Sequence, residues 1–415
     1  MGEKLKKLFA PENRRKLLDL IYSVGAAGIF NLVIQLLVYP DFERVLGGDA
    51  SGVALSIISL VAITAGTCGY AVNCARLLNV EKGYTQSSDY NLILLGMGIV
   101  GSIIGIVYIR GIENAEAFGY TSVIAILLYI TLTFSTMLRY YSEVDFKISA
   151  NFLKYMIFYI IISIGYAAGL FLFRATGQWM LALILGEVLS VLFVVIFGKL
   201  YRPPFFKPTK NFLPVLASIG FIFLSAFIDN ITLHADRILL LAITGEGELV
   251  QIYYVASLIG KVISMLTLPI NALMISYLVR YKGGLSPKLW FIAVCAATAF
   301  GAVGFGGCML VSPILIKILY PEYISAVAPY LAPAILGQIF YFVSGMLMMA
   351  LLRFKGEKKQ LIFNGGYAVI FFGSVAVGTV IGDLTGFVWG IVIANAIRFI
   401  GAVIWGFVGK KRVSL

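Results

Sequence analysis

The stretch FIDNITLHADRI, Phe227 to Ile238, sets two aspartates, an arginine and the chain's one histidine inside a strongly apolar sequence. Ionisable groups in such surroundings are costly, so each is a candidate for binding or for ion movement. Glu187, Asp229, Lys261 and Arg398 lie deepest in apolar runs, with Arg76, His234, Asp236 and Arg237 nearer the ends of such runs. The carboxylates Glu187, Asp229 and Asp236 can take up a proton or hold a cation, which leaves H+ or Na+ coupling open. Lys and Arg can neutralise a phosphate, Arg in a bidentate manner. A solitary buried histidine, His234, could serve acyl transfer within a membrane. Nothing else points to an enzyme: GxxxxGK[ST], HExxH and GxSxG are all absent, so no catalytic residue is assigned. Cys68, Cys74, Cys295 and Cys308 sit in apolar runs without a CxxC pair and indicate no metal site.

Helical spacing groups the polar side chains. At about 100° per residue, Asp229, Thr232 and Asp236 share one face, and Asn230, His234 and Arg237 share the adjacent one. Tyr254, Ser257, Lys261, Ser264 and Asn271 form a second stripe. Ser56, Ser59, Tyr70 and Asn73 form a third, with Arg76 at its inner end, and Gly28, Asn31 and Gln35 share a face upstream. Polar stripes on apolar helices imply a common wet cavity. Gly101-xxx-Gly105, Gly165-xxx-Gly169 and Gly386-xxx-Gly390 are read as packing seams.

Those stripes need membrane helices to carry them. The 415 residues are 60% hydrophobic and only 13% charged, against about a quarter charged in a soluble domain. Twelve apolar segments are long enough to cross a bilayer, at roughly 18–39, 51–75, 90–110, 119–138, 151–173, 178–198, 213–243, 249–279, 289–319, 328–352, 361–382 and 386–408. Placing both termini in the cytoplasm puts most of the 32 Lys and Arg residues on that side. Arg44, Arg110, Arg174, Arg237 and Lys317 then fall at the outer loops, together with Asp41, Glu43 and Asp49. The net charge of +12 is thus a matter of topology and anionic lipid, not of nucleic acid. Residues 28–55 align with 226–253 at an offset of 199, so that Asn31 meets Asn230, Gln35 meets His234 and Asp49 meets Glu248. The reading is an all-α polytopic membrane protein of two pseudo-symmetric six-helix lobes, 1–200 and 211–415, joined by the basic linker YRPPFFKPTK at 201–210.

Three runs carry a family resemblance: YPDFERVLGGDASGVALSIISLVAITAGTCGYAVNCARLL (39–78), DRILLLAITGEGELVQIYYVASLIGKVISMLTLPINALMISYL (236–278) and LYPEYISAVAPYLAPAILGQIFYFVSGMLMMALLRFKGEKK (319–359). They resemble the Wzx-type polysaccharide-repeat flippases of the multidrug/oligosaccharidyl-lipid/polysaccharide exporter superfamily. The resemblance implies a protein of the bacterial cytoplasmic membrane. Its activity would be translocation of an undecaprenyl-pyrophosphate-linked oligosaccharide, by alternating access through a cavity lined by the first, second, seventh and eighth helices. It also implies a cationic cavity, for which Arg76, Lys261, Arg237 and Arg398 are the candidates, and neighbouring glycosyltransferases and a polymerase as partners. A cation-coupled multidrug exporter of the same superfamily is the alternative, motivated by Asp229, Asp236 and Glu187. A membrane acyltransferase rests on His234 alone, and the short outer loops argue against a membrane glycosyltransferase or polymerase.

Overall fold

The computed structural model describes residues 11–80, 82–265 and 283–408. Among these the chain is helical, with turns between helices and no strand. Apolar runs of this length leave the backbone no water to bond to, and the helix answers that demand within each segment.

The first helix, α1, runs through Pro11–Val33, a π-helical turn at Ile34–Val38, and Tyr39–Leu46. Pro40 stands just after the π turn. It has no N–H to return to the preceding turn, and a widened turn accommodates that loss. Gly47, at φ 82°, makes the joint to α2, which comprises Gly48–Val61, a second π turn at Ala62–Gly66, and Thr67–Asn79. There follow α3 (Ser87–Gly111), α4 (Val123–Ser142), a one-turn helix Val144–Ile148, α5 (Phe152–Thr176) and α6 (Met180–Phe197). Ser122 and Asn151 cap α4 and α5 by accepting the N–H of Ala125 and Lys154.

The second half holds α7 (Phe212–Thr244), α8 (Gly247–Met265), α9 (Pro287–Leu319) and α10 (Ile324–Lys355). A last helical stretch, Glu357–Phe407, is broken at Gly382 and Asp383, giving α11 (357–381) and α12 (384–407). Nine helices among the described residues are long and apolar enough to span a membrane. A bent pair, Phe212–Ile228 and Asn230–Thr244, set at 50°, makes a tenth. That list counts Lys359–Phe407 once, although it holds both α11 and α12. The eighth expected segment, 249–279, is described only to Met265.

Helix ends differ from expectation in one useful way. Asp41 and Arg174, placed at outer loops by hydropathy, are helical, because α1 and α5 run further than their apolar cores, and Arg237 lies inside α7 as the segment 213–243 implies. Asp41 is buried and accepts bonds from Arg174, one at 3.1 Å from Nε. The pair lets two charged residues extend two apolar helices.

The chain divides into two compact units, residues 1–47 with 57–234 and residues 48–56 with 235–415. Within the first, the backbones of α5 and α6 approach at Gly165 and Gly186, and Gly105 lies against the Tyr129 ring. Within the second, Gly386 meets the backbone at Gly378 and Gly390 meets it at Ser374. These are the three glycine seams, and small residues there allow closer helix contact than a side chain would. Residues 198–210 are strapped to the first unit. The Thr209 N–H and hydroxyl donate to buried Asp89, at 2.8 and 2.5 Å. Asn91 donates to the Phe205 carbonyl, and Ser87 to that of Leu200.

Candidate functional site: a buried cationic cluster in the second unit

Five helices of the second unit bring charge together in its interior. On α7, Asp236 and Arg237 are buried neighbours. On α8, Tyr253, Ser257 and Lys261 recur at four-residue intervals and so share a face. Lys261 Nζ donates to Asp236 Oδ2 at 2.5 Å, and the Tyr253 hydroxyl donates to the same oxygen at 2.9 Å. Asp236 Oδ1 accepts the backbone N–H of Arg237. The Arg237 guanidinium stands over the Tyr254 ring, 4.8 Å from its centroid. Lys261 Nζ is 5.3 Å from the Tyr253 centroid.

The other wall comes from α10, α11 and α12. Arg398 lies between two rings, 4.5 Å from the centroid of Tyr341 and 4.6 Å from that of Tyr367. The Tyr367 hydroxyl donates to Asn395 Oδ1 at 2.6 Å, and Asn395 in turn donates to the Gly337 carbonyl. Tyr253 also packs edge-on against Phe387 of α12.

Among the described residues the charges do not cancel: Asp236 faces two cations, Arg237 and Lys261, and Arg398 lies buried between its two rings with no carboxylate paired to it. Burying cations without partners is costly, and aromatic faces offset only part of that cost. Nε of Arg237 and both Nε and Nη1 of Arg398 are buried with no hydrogen-bond partner among the described residues. A planar guanidinium with free N–H groups next to a lysine is suited to a polyvalent oxyanion. No group of three His, Cys, Asp or Glu residues is placed to hold a metal among the described residues.

The sequence candidates thus separate. Asp236, Arg237, Tyr254, Ser257, Lys261 and Arg398 belong to the second unit, Ser257 giving its hydroxyl to the Tyr254 carbonyl. Asn31, Gln35, Tyr70, Asn73, Arg76, Glu187, Asn230 and His234 belong to the first. Asn31 bonds back to the Ala27 carbonyl, Asn73 donates to the carbonyl of Tyr140, and Tyr70 is exposed. Arg76 donates to the Tyr141 hydroxyl, to the Thr85 carbonyl and to Ser87, with Tyr90 and Tyr141 rings beside it. Asn271 and the side chains of Asp229 and Ser264 lie outside the described residues.

Glu187 has a partner that hydropathy did not reveal. Arg139 Nε donates to it at 2.6 Å, Tyr166 donates at 2.7 Å and Thr136 at 3.3 Å. Arg139 was hidden because LRYYSE reads as the start of a polar loop, whereas α4 continues to Ser142. Tyr253, Tyr341, Tyr367 and Asn395 were also missed. Tyr253 alone had a usable signal, its spacing of four from Ser257 and eight from Lys261.

No protein-family model matches the sequence, and no curated protein matches it. Solved structures do match in fold. A structure described as the lipid II flippase MurJ in an inward closed conformation aligns with TM-score 0.70 at 16% identity, over 93% of this chain and 86% of its own. A MATE structure in complex with MaD5 aligns with TM-score 0.63 at 16% identity, over 94% of both chains. An inward-facing multidrug resistance MATE family transporter of the MOP superfamily aligns with TM-score 0.59 at 16% identity, again over 94% of both. The chain has the all-helical membrane fold that MATE transporters and MurJ share.

Proposed function

We infer that the protein is a flippase for an amphiphile whose head group carries phosphate, in the first instance an undecaprenyl-pyrophosphate-linked oligosaccharide. The carrying observation is that, among the described residues, Arg237, Lys261 and Arg398 outnumber the one acid paired in the second-unit cluster, with guanidinium N–H groups unspent. A multidrug pump for organic cations has no use for such a surplus, whereas a pyrophosphate does. The fold shared with a lipid II flippase supports the same reading. Asn395 and the tyrosines around the cluster supply exchangeable hydrogen bonds for sugar hydroxyls. Alternating access would move the head group between two lobes, 1–200 and 211–415, while the lipid tail stays in the bilayer. The protein would act in a bacterial cytoplasmic membrane, after glycosyltransferases that build the unit and before a polymerase that consumes it.

The test is flipping in reconstituted vesicles, with a lipid-linked oligosaccharide made accessible or inaccessible to an impermeant glycosidase. Lys261→Glu abolishes transfer and Lys261→Arg retains most of it. Equal activity of the two variants removes Lys261 from the phosphate role. The second reading, a cation-coupled exporter, rests on the buried carboxylates Glu187 and Asp236. Drug efflux lost in Asp236→Asn, with glycan display intact, would favour it.

A further inference from the structure

We propose that Asp236 is a built-in counter-anion that occupies Lys261 until the anionic head group arrives and takes its place. The proposal rests on the anion-binding reading above and adds the means by which the site avoids holding its ligand too tightly.

The geometry sets Asp236 apart from the other buried acids. Asp41 pairs with Arg174 at the end of its helix, Glu143 with Lys147 and Glu187 with Arg139, and Asp89 holds the Thr209 N–H and hydroxyl. Asp236 instead sits where, among the described residues, Arg237 and Lys261 outnumber it, and its contact at 2.5 Å uses the Lys261 ammonium. The carboxylate has support when Lys261 leaves, because the Tyr253 hydroxyl and the Arg237 N–H still donate to it. Lys261 is a flexible point charge on a four-carbon stem, able to turn from one oxygen to another without moving its helix. Among the described residues neither Arg237 nor Arg398 is ion-paired, and Nε of the first and Nε and Nη1 of the second lack a hydrogen-bond partner, so these groups can meet the ligand first. Binding then becomes an exchange: one ligand oxyanion replaces one aspartate oxygen on Lys261, and the net gain is smaller than three unopposed cations would give. A carrier needs this, since a head group bound without competition is not released.

The experiment is a titration of purified protein in detergent with inorganic pyrophosphate, read by thermal shift and calorimetry at fixed ionic strength. Asp236→Asn keeps the shape and an oxygen acceptor for Tyr253 and removes the competing charge. Its affinity should exceed that of the wild type by at least about fivefold, the lower range of a site-to-site coupling. Asp236→Ser, of different shape, should shift the same way, and Lys261→Gln should weaken binding. Equal or weaker pyrophosphate binding in both Asp236 variants, with Lys261→Gln still weakened, overturns the counter-anion while leaving the anion site in place. Absence of binding in wild type and in every variant removes the anion site itself. Should Asp236→Asn unfold on purification, pyrophosphate in the buffer is expected to restore it, and failure of that rescue in both variants counts against the proposal. A parallel titration with farnesyl pyrophosphate identifies the source of the phosphate. The same gain on a tighter baseline supports a lipid-borne group, and a gain confined to inorganic pyrophosphate overturns it.

Discussion

Replacing Glu187 by Gln separates a structural acid from a coupling acid. Arg139 and Glu187 lie at 2.6 Å with side-chain exposures of 4% and 2%. The gross attraction at that distance is about 6 kcal/mol with an effective dielectric near 20. Much of it offsets desolvation, and removing one partner of such a pair costs about 3–5 kcal/mol because the other charge is left buried and unpaired. Here Arg139 keeps two aromatic faces, Tyr140 at 4.0 Å and Phe30 at 5.0 Å, and Gln still accepts from the Tyr166 hydroxyl. The expected loss is therefore at the lower end, about 3 kcal/mol. Replacing both members, Arg139→Met with Glu187→Gln, should recover most of it, giving a coupling energy of about 2 kcal/mol. Denaturant titration in mixed micelles measures all three variants, and flipping is scored per folded molecule. The reasoning predicts normal flipping by whatever Glu187→Gln protein remains folded. A variant within about 0.5 kcal/mol of wild type that has lost transport would refute it and make Glu187 a coupling residue.

Two further substitutions probe the frame around the site. Asp89→Ala removes both bonds that hold Thr209 and should cost about 1–3 kcal/mol; limited proteolysis within 201–210 should accelerate, and an unchanged cleavage rate would show that the strap is held by other contacts. At Gly52 a Cβ would land on the carbonyl of Gly247 within the second unit, so Gly52→Val should destabilise by at least about 1–3 kcal/mol, whereas Gly28→Ala, with open space around it, should be neutral or better in a thermal-shift series.

Much of the frame was legible because hydropathy is a strong local signal in a membrane chain. Apolar runs located the helices, and glycine spacing located the seams at Gly165, Gly169, Gly386 and Gly390. Hydropathy fails where a charge is neutralised by a residue far away in sequence. Asp41 and Arg174 are 133 residues apart, so each alone looks like a helix terminator. Arg139 looked like loop for the same reason, its partner Glu187 standing two helices later. The cationic cluster was half visible: Lys261 and Arg398 are conspicuous in apolar runs, but Tyr341, Tyr367 and Asn395 are ordinary residue types whose role comes only from the packing of α10, α11 and α12.

Two tyrosine-centred braces in the chain are built alike but differ in charge. In the first unit a tyrosine of α5, Tyr166, donates across to α6, and in the second a tyrosine of α11, Tyr367, donates across to α12. The acceptors differ: Glu187 in one, Asn395 in the other. With Glu187 present, the nearby arginine is paired and the group closes on itself as a neutral brace. With Asn395 as the acceptor, no carboxylate among the described residues pairs with Arg398, and its Nε and Nη1 have no hydrogen-bond partner there. A buried arginine without an anion is a cost that a brace would avoid, since an apolar pair of similar volume would pack as well or better. The cost is intelligible when an anion arrives from outside the chain. That difference, one carboxylate against one amide, makes the first cluster a self-neutralising brace and is what the proposed anion-binding role of the second would require.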